Sequence, residues 1–243
     1  MSVAVITTST VLTGGVAMTT RARRATVGLS ATEQDITNLG SAGWKELAAG
    51  GIKSGTISID GMADYVADTN GIATDAEFFA NLGVAGAPVS IIPSAAAVGD
   101  LAYTAQALYI GVSQFGAVGE VGPLEADIVT SGPVVRGAVL HYTTQTSTGT
   151  AAGVQLGAVT AGQSLYVALH HLTRSAGTLT VKVQSDDNSG FTSATDRITF
   201  TGSAAGGTYQ WSSVAGAITD DYWRAQFTIT SGTHLFAVVA GIA

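Results

Sequence analysis

Hydrophobic and polar residues alternate with a period of two through most of this chain. In residues 53–61, Ser54, Thr56, Ser58 and Asp60 fall on one side and Ile57 and Ile59 on the other, which is the pattern of a half-buried strand. Similar runs occupy 89–92, 102–112, 124–130, 134–142, 165–172, 178–184, 196–201, 222–229 and 235–241. Clusters of Gly, Asn, Asp and Ser cut them apart. Nine or ten short strands with glycine-rich turns predict an all-β protein built from sandwiches or barrels. One stretch departs from this period. Thr74-Asp75-Ala76-Glu77 has the capping-box spacing ahead of Phe78, Phe79 and Leu82, with Gly83 as a stop. It predicts one short helix over 75–82 that packs Phe78, Phe79 or Leu82 on a sheet.

Composition adds an early hint of assembly. Only 11% of the 243 residues are charged, well under the roughly 25% of an ordinary globular domain. A surface that poor in charge is a solubility risk on an isolated subunit, and copies of the same chain would cover it. The formal net charge is -7, so a basic nucleic-acid footprint is absent. There are no cysteines, which excludes disulfides, thiolate metal sites and a Cys nucleophile. No apolar run approaches the length of a membrane-spanning helix, so membrane insertion is not expected. In the N-terminal segment Arg21, Arg23 and Arg24 follow the apolar stretch rather than precede it, which is the wrong order for a secretory signal.

Three segments are expected: an N-terminal arm over 1–25, a first domain over 26–145 and a C-terminal domain over 146–243. The polar stretch 143–150 sets the boundary. The C-terminal domain is expected to fold alone, on its own strands and two of the three tryptophans. Acid is concentrated ahead of the boundary, with 12 acids against 6 bases, compared with 5 against 4 after it.

Catalytic constellations are weak, and no enzyme activity or cofactor is expected. His141, His170, His171 and His234 all lie in or at the ends of expected strands, without metal-ligand spacing. His170 and His171 point to opposite faces of one strand and are poorly placed to chelate one ion. The glycine-rich stretch 116–122 reads as a hairpin tip, since no helix follows to receive a phosphate. Asp186-Asp187-Asn188 offers hard oxygen ligands for a cation such as calcium, but the remaining ligands of a calcium loop are missing and the segment reads first as ordinary hairpin-turn chemistry. Trp44, Trp211 and Trp223 are candidates either for a sugar platform or for burial in a core or contact, and Tyr222 joins Trp211 and Trp223 as a candidate glycan or interface aromatic.

Two stretches carry a resemblance. Ser30, Asp35, Ile36, Thr37 and Asn38, then Gly43-Trp44, then Gly51, Lys53, Ser54, Ile57 and Gly61, are similar in order and spacing to the opening of the major tail tube proteins of long-tailed, siphovirus-like bacteriophages. Gly99-Asp100, the 103–112 strand, and Gly132 to Gly137 fit the later part, so the resemblance covers roughly residues 26–142. Residues 161–166, 183–191, 197–200 and 222–224 resemble a β-sandwich module added to phage tail and other virion proteins.

The resemblance implies an all-β protomer with one flanking helix: a β-sandwich tail-tube domain followed by a β-sandwich or jelly-roll-like domain. It further implies a structural virion protein, made in the host cytoplasm, whose hexameric rings stack into a tube. Each protomer would give strands to a continuous inner β-barrel, other tail proteins would close the tube ends, and double-stranded DNA would pass without tight binding. On that reading Ser54, Thr56, Ser58, Asp60, Glu125 and Asp127 are candidates for a DNA-repelling lumen. Lys53 dissents, because alternation places it on the face opposite Asp60. Arg21, Arg23 and Arg24 are candidates for an arm reaching a neighbouring ring. The alternatives are a capsid decoration or minor tail protein, and a carbohydrate-binding module in the C-terminal domain.

Overall fold

The computed structural model describes residues 6, 8–38, 41, 44–48, 50–66 and 71–243. Residues 1–5 and 7 of the expected arm, and Gly43 of the glycine–tryptophan element, lie outside the described residues. The first strands are β1 (Thr10–Thr13), β2 (Val16–Ala17), β3 (Ala22–Ala31), β4 (Gln34–Asp35), β5 (Leu47–Ala48) and β6 (Lys53–Met62). The helix α1 (Thr74–Asn81) precedes β7 (Ala85–Ile92), β8 (Leu101–Gln114), β9 (Pro123–Thr130) and β10 (Val135–Gln145). Then follow β11 (Gly149–Thr150), β12 (Val154–Gln155), β13 (Ser164–Arg174), β14 (Leu179–Asp186) and β15 (Thr195–Thr199). The last three are β16 (Thr208–Ala215), β17 (Tyr222–Ile229) and β18 (His234–Ile242). Over the described residues the chain is an all-β protein with one short helix.

The largest sheet runs β16-β13-β18-β10-β8-β7-β1-β2, and a branch β9-β6-β3 leaves it at β8. The length of β8 makes the branch possible. Its residues 101–104 pair with β10 and 103–108 with β7, while 107–114 pair with β9. The branch is therefore a four-strand sheet, β3-β6-β9-β8, antiparallel at every step. Its inner face buries Ile57, Ile59, Leu124, Ala126 and Ile128, with Phe78 of α1 in the same core. Phe78 meets Tyr109 edge to face at 5.4 Å.

A second sheet, with β11 and β12 on β17 and then β14 and β15, covers one face of the first. The sandwich core between them includes Leu165, Val167, Phe236 and Val238 with Val181, Val183, Trp223 and Phe227. The boundary expected at 145/146 falls at the end of β10. That strand pairs with β18 over eight residue pairs and contributes Leu140 to this core, so the sheet is continuous across the boundary.

From Thr10 onward the N-terminal segment is not an arm. All four β1 residues are buried, and β1 pairs with β7. Alternation sends Val11 into one core and Leu12 into another, where it meets Ala168, Leu172, Ala237 and Val239. A short apolar run without a long period read as arm because its cover comes from distant strands. β16 gives no strand signal in the sequence for a similar reason, since its residues are mostly half-buried and show no clean alternation.

The helix lies one residue earlier than expected, and its capping box does not form. Its N-cap is Ala73, with no side-chain cap. Thr74 Oγ1 instead exchanges hydrogen bonds with the Asp64 backbone, and Glu77 turns inward to accept from Gly15 N–H at 3.2 Å and from Asn81 Nδ2 at 2.9 Å. Asn81 Oδ1 accepts from the Tyr209 hydroxyl at 2.7 Å. The β1–β2 turn, Gly14-Gly15, is held from the other side by His170. Its Nδ1–H donates to Gly14 O at 2.7 Å, which leaves Nε2 to accept from Ser90 Oγ at 2.8 Å. No side chain fits in this turn. A Cβ on Gly14 would lie 1.6 Å from Glu77 Oε1, and one on Gly15 would lie 2.2 Å from the Gly207 carbonyl carbon.

The histidines are structural groups. His171 Nε2–H donates to His234 Nδ1 at 3.0 Å, and His234 Nε2–H donates to Ser231 O at 3.1 Å. His141 stacks on Phe236 at 4.2 Å. Burial lowers His141, His170 and His171 from an ordinary 6.5 to about 4, while burial raises Glu77 from 4.5 to about 7.

Two predictions follow from this packing. Leu12→Ala should destabilise the chain by about 2–5 kcal/mol in chemical denaturation, the range for a truncated core leucine. A change below about 0.5 kcal/mol would mean that β1 is peripheral. The pH dependence has two opposed parts. Between pH 6.5 and 4 the unfolded chain binds protons that the three buried imidazoles refuse. Stability therefore falls as pH drops through that window, on the order of 1–3 kcal/mol for each. Glu77 acts oppositely, and its contribution is present below pH 4.5 and lost as pH rises through about 7. Glu77→Gln should thus raise the melting temperature at pH 8 and leave it nearly unchanged at pH 4. Equal effects at both pH values would show that Glu77 does not titrate across this range.

Candidate functional site

The outward face of β3-β6-β9-β8 gathers all six expected lumen residues. Strand alternation turns Ser54, Thr56, Ser58 and Asp60 away from the core, and Glu125 and Asp127 do the same on β9. Register brings the two sets side by side, with Asp60 opposite Glu125 and Ser58 opposite Asp127. On β8, Ser113 stands opposite Glu125 and Gly111 opposite Asp127. The carboxylates border a shallow depression of about 340 Å³. Ser30 and Ser54 close the other end with an Oγ–Oγ hydrogen bond of 2.7 Å. Lys53 sits opposite Ala31 at the exposed end of β6, beyond the apolar part of the inner face.

Arg24 belongs to this face, although its sequence context suggested an arm. It stands opposite Asp60 on β3, just past a bulge at Arg23 that both exposes and offsets that residue. Arg21 pairs with Asp64 at 2.7 Å and fixes the entry to β3. The three arginines are thus divided between a structural ion pair, a bulge and the polar face. With Arg24 counted, the face carries one positive against three negative charges and remains net negative. Like charges at Asp60 and Glu125 directly opposite one another are mildly unfavourable, and Arg24 on the far side of Asp60 offsets part of that cost.

The outer edges of this sheet have no partner strand among the described residues. β3 pairs only with β6. Past Tyr109, which is bridged to Leu82, β8 pairs only with β9. Behind the β8 edge lies a largely apolar groove of about 760 Å³ lined by Phe79, Leu82, Val112, Gln114 and Phe115, with Asp75 and Ala76 of α1 on its wall. Phe79 is 78% exposed and Phe115 is 74% exposed. The groove was missed in the sequence, yet a signal was there. Adjacent phenylalanines on a helix are about 100° apart, so one of Phe78 and Phe79 had to leave the core.

The remaining candidates separate. Trp223 is fully buried and its Nε1–H donates to Gly157 O at 2.9 Å, so it presents no face to a sugar. Trp211 is half-buried on β16 beside Tyr166, at 5.9 Å between ring centres, and packs on the core shared with β1. Tyr222 is half-buried at the start of β17. Asp186 spends both oxygens on backbone, accepting from Asn188 N–H at 3.0 Å and Ser193 N–H at 2.8 Å, which is turn chemistry. Asp220 is held below the usual carboxylate range by hydrogen bonds from Ser185 and Arg197. Among the described residues no group of three or more His, Asp or Glu side chains is placed to hold a metal ion, and no helix is long and apolar enough to cross a membrane.

No protein-family model matches the chain, and no curated protein matches it. Solved structures are similar in part. A chain from the virion of a native gene transfer agent particle is 21% identical, with 49% of this chain and 85% of that chain covered, at a TM-score of 0.37. A chain from the tail of an empty gene transfer agent particle, determined with C6 symmetry, is 18% identical over 47% of this chain and 80% of that one, at 0.36. The SPP1 Dit protein, from the hub adsorption apparatus of phages infecting Gram-positive bacteria, is 10% identical over 97% and 99%, at 0.36.

The aromatics give a direct prediction. Trp223→Ala should destabilise the fold by about 3–5 kcal/mol in chemical denaturation, as for other buried aromatics. A folded Trp223→Ala protein of wild-type stability that had lost glycan binding would contradict its assignment to the core.

Proposed function

We propose that this chain is a structural virion protein, the major tail tube subunit of a long-tailed phage or phage-like particle. Its hexameric rings stack into a tube whose negatively charged lumen conducts double-stranded DNA. The observation that carries the reading is the β3-β6-β9-β8 sheet. Among the described residues it has two edges without a partner strand, an outward face dominated by hydroxyls and carboxylates, and an apolar reverse face whose middle packs on its own core.

An even number of antiparallel strands matters here. β3 and β8 run in opposite directions, so copies related by rotation place β8 of one beside β3 of the next, and antiparallel pairing continues. Closure removes the two edges that an isolated copy leaves open to aggregation. Six copies would close about 24 strands. At a strand spacing of about 4.8 Å and the usual tilt near 40°, the backbone diameter is roughly 48 Å. That leaves room for a hydrated duplex between the side chains of opposite walls.

The chemistry of the face suits passage rather than capture. Non-specific affinity for DNA comes mainly from Lys and Arg on phosphates. Here each Arg24 is outnumbered by Asp60, Glu125 and Asp127, and the rest of the face is hydroxyl and glycine apart from Val129 and Leu108, which carry no charge. Sixfold repetition turns each carboxylate into a ring of negative charge, which repels the duplex and leaves it free to slide. Head-to-tail stacking is heterologous and extends until other tail proteins end it. The finished protein belongs to the virion tail, after synthesis in the host cytoplasm.

Negative-stain microscopy of the purified chain should show hollow tubes. Asp60→Lys with Asp127→Lys reverses the net charge of the face while both positions stay outside the core. The double variant should still assemble, and its tubes should retain DNA in a salt-dependent way. Monomers under all assembly conditions, or variant tubes that treat DNA as wild type does, would overturn the reading.

A further inference from the structure

The groove behind the β8 edge and the exposed apolar side chain on β3 lie on opposite edges of the same sheet. We infer that Leu29 of one copy seats in the Phe79–Leu82–Val112–Phe115 groove of the next, and that this contact sets the register of ring closure. The inference rests on the proposed ring.

Leu29 has the right face and the wrong cover for a monomer. On β3 the outward positions are Arg24, Thr26, Gly28 and Ser30, each opposite an outward residue of β6. Ala25, Val27 and Leu29 therefore belong to the reverse, apolar face. Ala25 and Val27 pack on their own core, whereas Leu29 lies beyond it and is 64% exposed. On β8, Gly111 and Ser113 are outward, so Val112 and Gln114 share the reverse face with the groove. A strand added at the β8 edge presents its reverse-face residues to that groove. Since β7 already occupies residues 103–108 of β8, the open stretch is 110–114.

Register follows from phase. Outward residues of β3 must meet outward residues of β8, so only even staggers are allowed. Within one copy Arg24, Asp60, Glu125 and Ser113 form one level row. A tilt of 35–45° staggers neighbouring strands by about one residue each, or about four across a four-strand unit. Shifting β3 by four toward the open end of β8 sets Gly28 opposite Ser113 and Leu29 opposite Val112. Leu29 then lies over Phe79 and Phe115, and all of these groups lose their contact with water. A second copy is the occupant that the geometry selects, because the same added strand must supply both the backbone pairing at 110–114 and the apolar knob.

The chain has no cysteine, which makes cross-linking clean. Leu29→Cys with Val112→Cys, oxidised after assembly, should give a denaturant-resistant ladder reaching the hexamer, and either single variant should not. Leu29→Asp should keep the wild-type melting temperature and lose ring formation, with Phe79→Asp behaving alike from the other side. Rings that form normally with Leu29→Asp, or a double-cysteine protein that assembles without a ladder, would overturn this contact and leave the tube reading standing. A wild-type chain that never forms rings would overturn both.

Discussion

The Gly14-Gly15 turn is the constraint on which the rest of the molecule depends. Glu77 from the helix holds Gly15 N–H, and His170 from β13 holds Gly14 O. The turn thus ties the branch that carries the polar face to the sheet of the second sandwich. Because β1 runs directly out of it, Val11 and Leu12 are delivered to two different cores. The space left for the turn accepts neither a Cβ nor an unsatisfied amide. That requirement accounts for a carboxylate held near neutral and a histidine held neutral in the interior, since each is needed as a hydrogen-bond partner more than as a charge.

With the joint fixed, the four-strand branch can be left open. The middle of its inner face is packed with Ile57, Ile59, Leu124 and Ile128, and serines, threonines and carboxylates stand in register on its outer face. Open edges are ordinarily a hazard. Here the β3 bulge at Arg23 and the aromatic groove behind β8 make the two edges unlike each other, which favours pairing of one edge with the other over self-pairing of either. In the proposed tube that asymmetry gives rotation rather than a two-fold dimer. The low charge of the chain and its exposed Phe79, Phe115 and Leu29 then have one common cause.

What could be read in the sequence follows physical lines. The 53–61 alternation survives as β6, with Asp60 outward and Ile59 inward, because period two is decided locally. The meeting of Asp60 with Glu125 and Ser58 with Asp127 depended on register across 65 or more residues, and shared alternation was enough to put them on one face. The capping box failed because Glu77 found a stronger use for its carboxylate 62 residues away, at Gly15. β1 was hidden for the same kind of reason. A four-residue strand buried on both sides has no alternation to show, and its burial is set by strands far along the chain. Trp223 read as a candidate platform because composition cannot tell an aromatic under a sheet from one on top of it.

The central claim is that the β3 and β8 edges pair between copies while the carboxylate face stays in water. Hydrogen exchange of the dispersed and the assembled chain tests it most directly. Assembly should protect the backbone amides of residues 27–31 and 110–114, and carbodiimide labelling of Asp60, Glu125 and Asp127 should continue inside open-ended tubes. Unchanged exchange at both edges, or carboxylates that become unreactive on assembly, would contradict the claim.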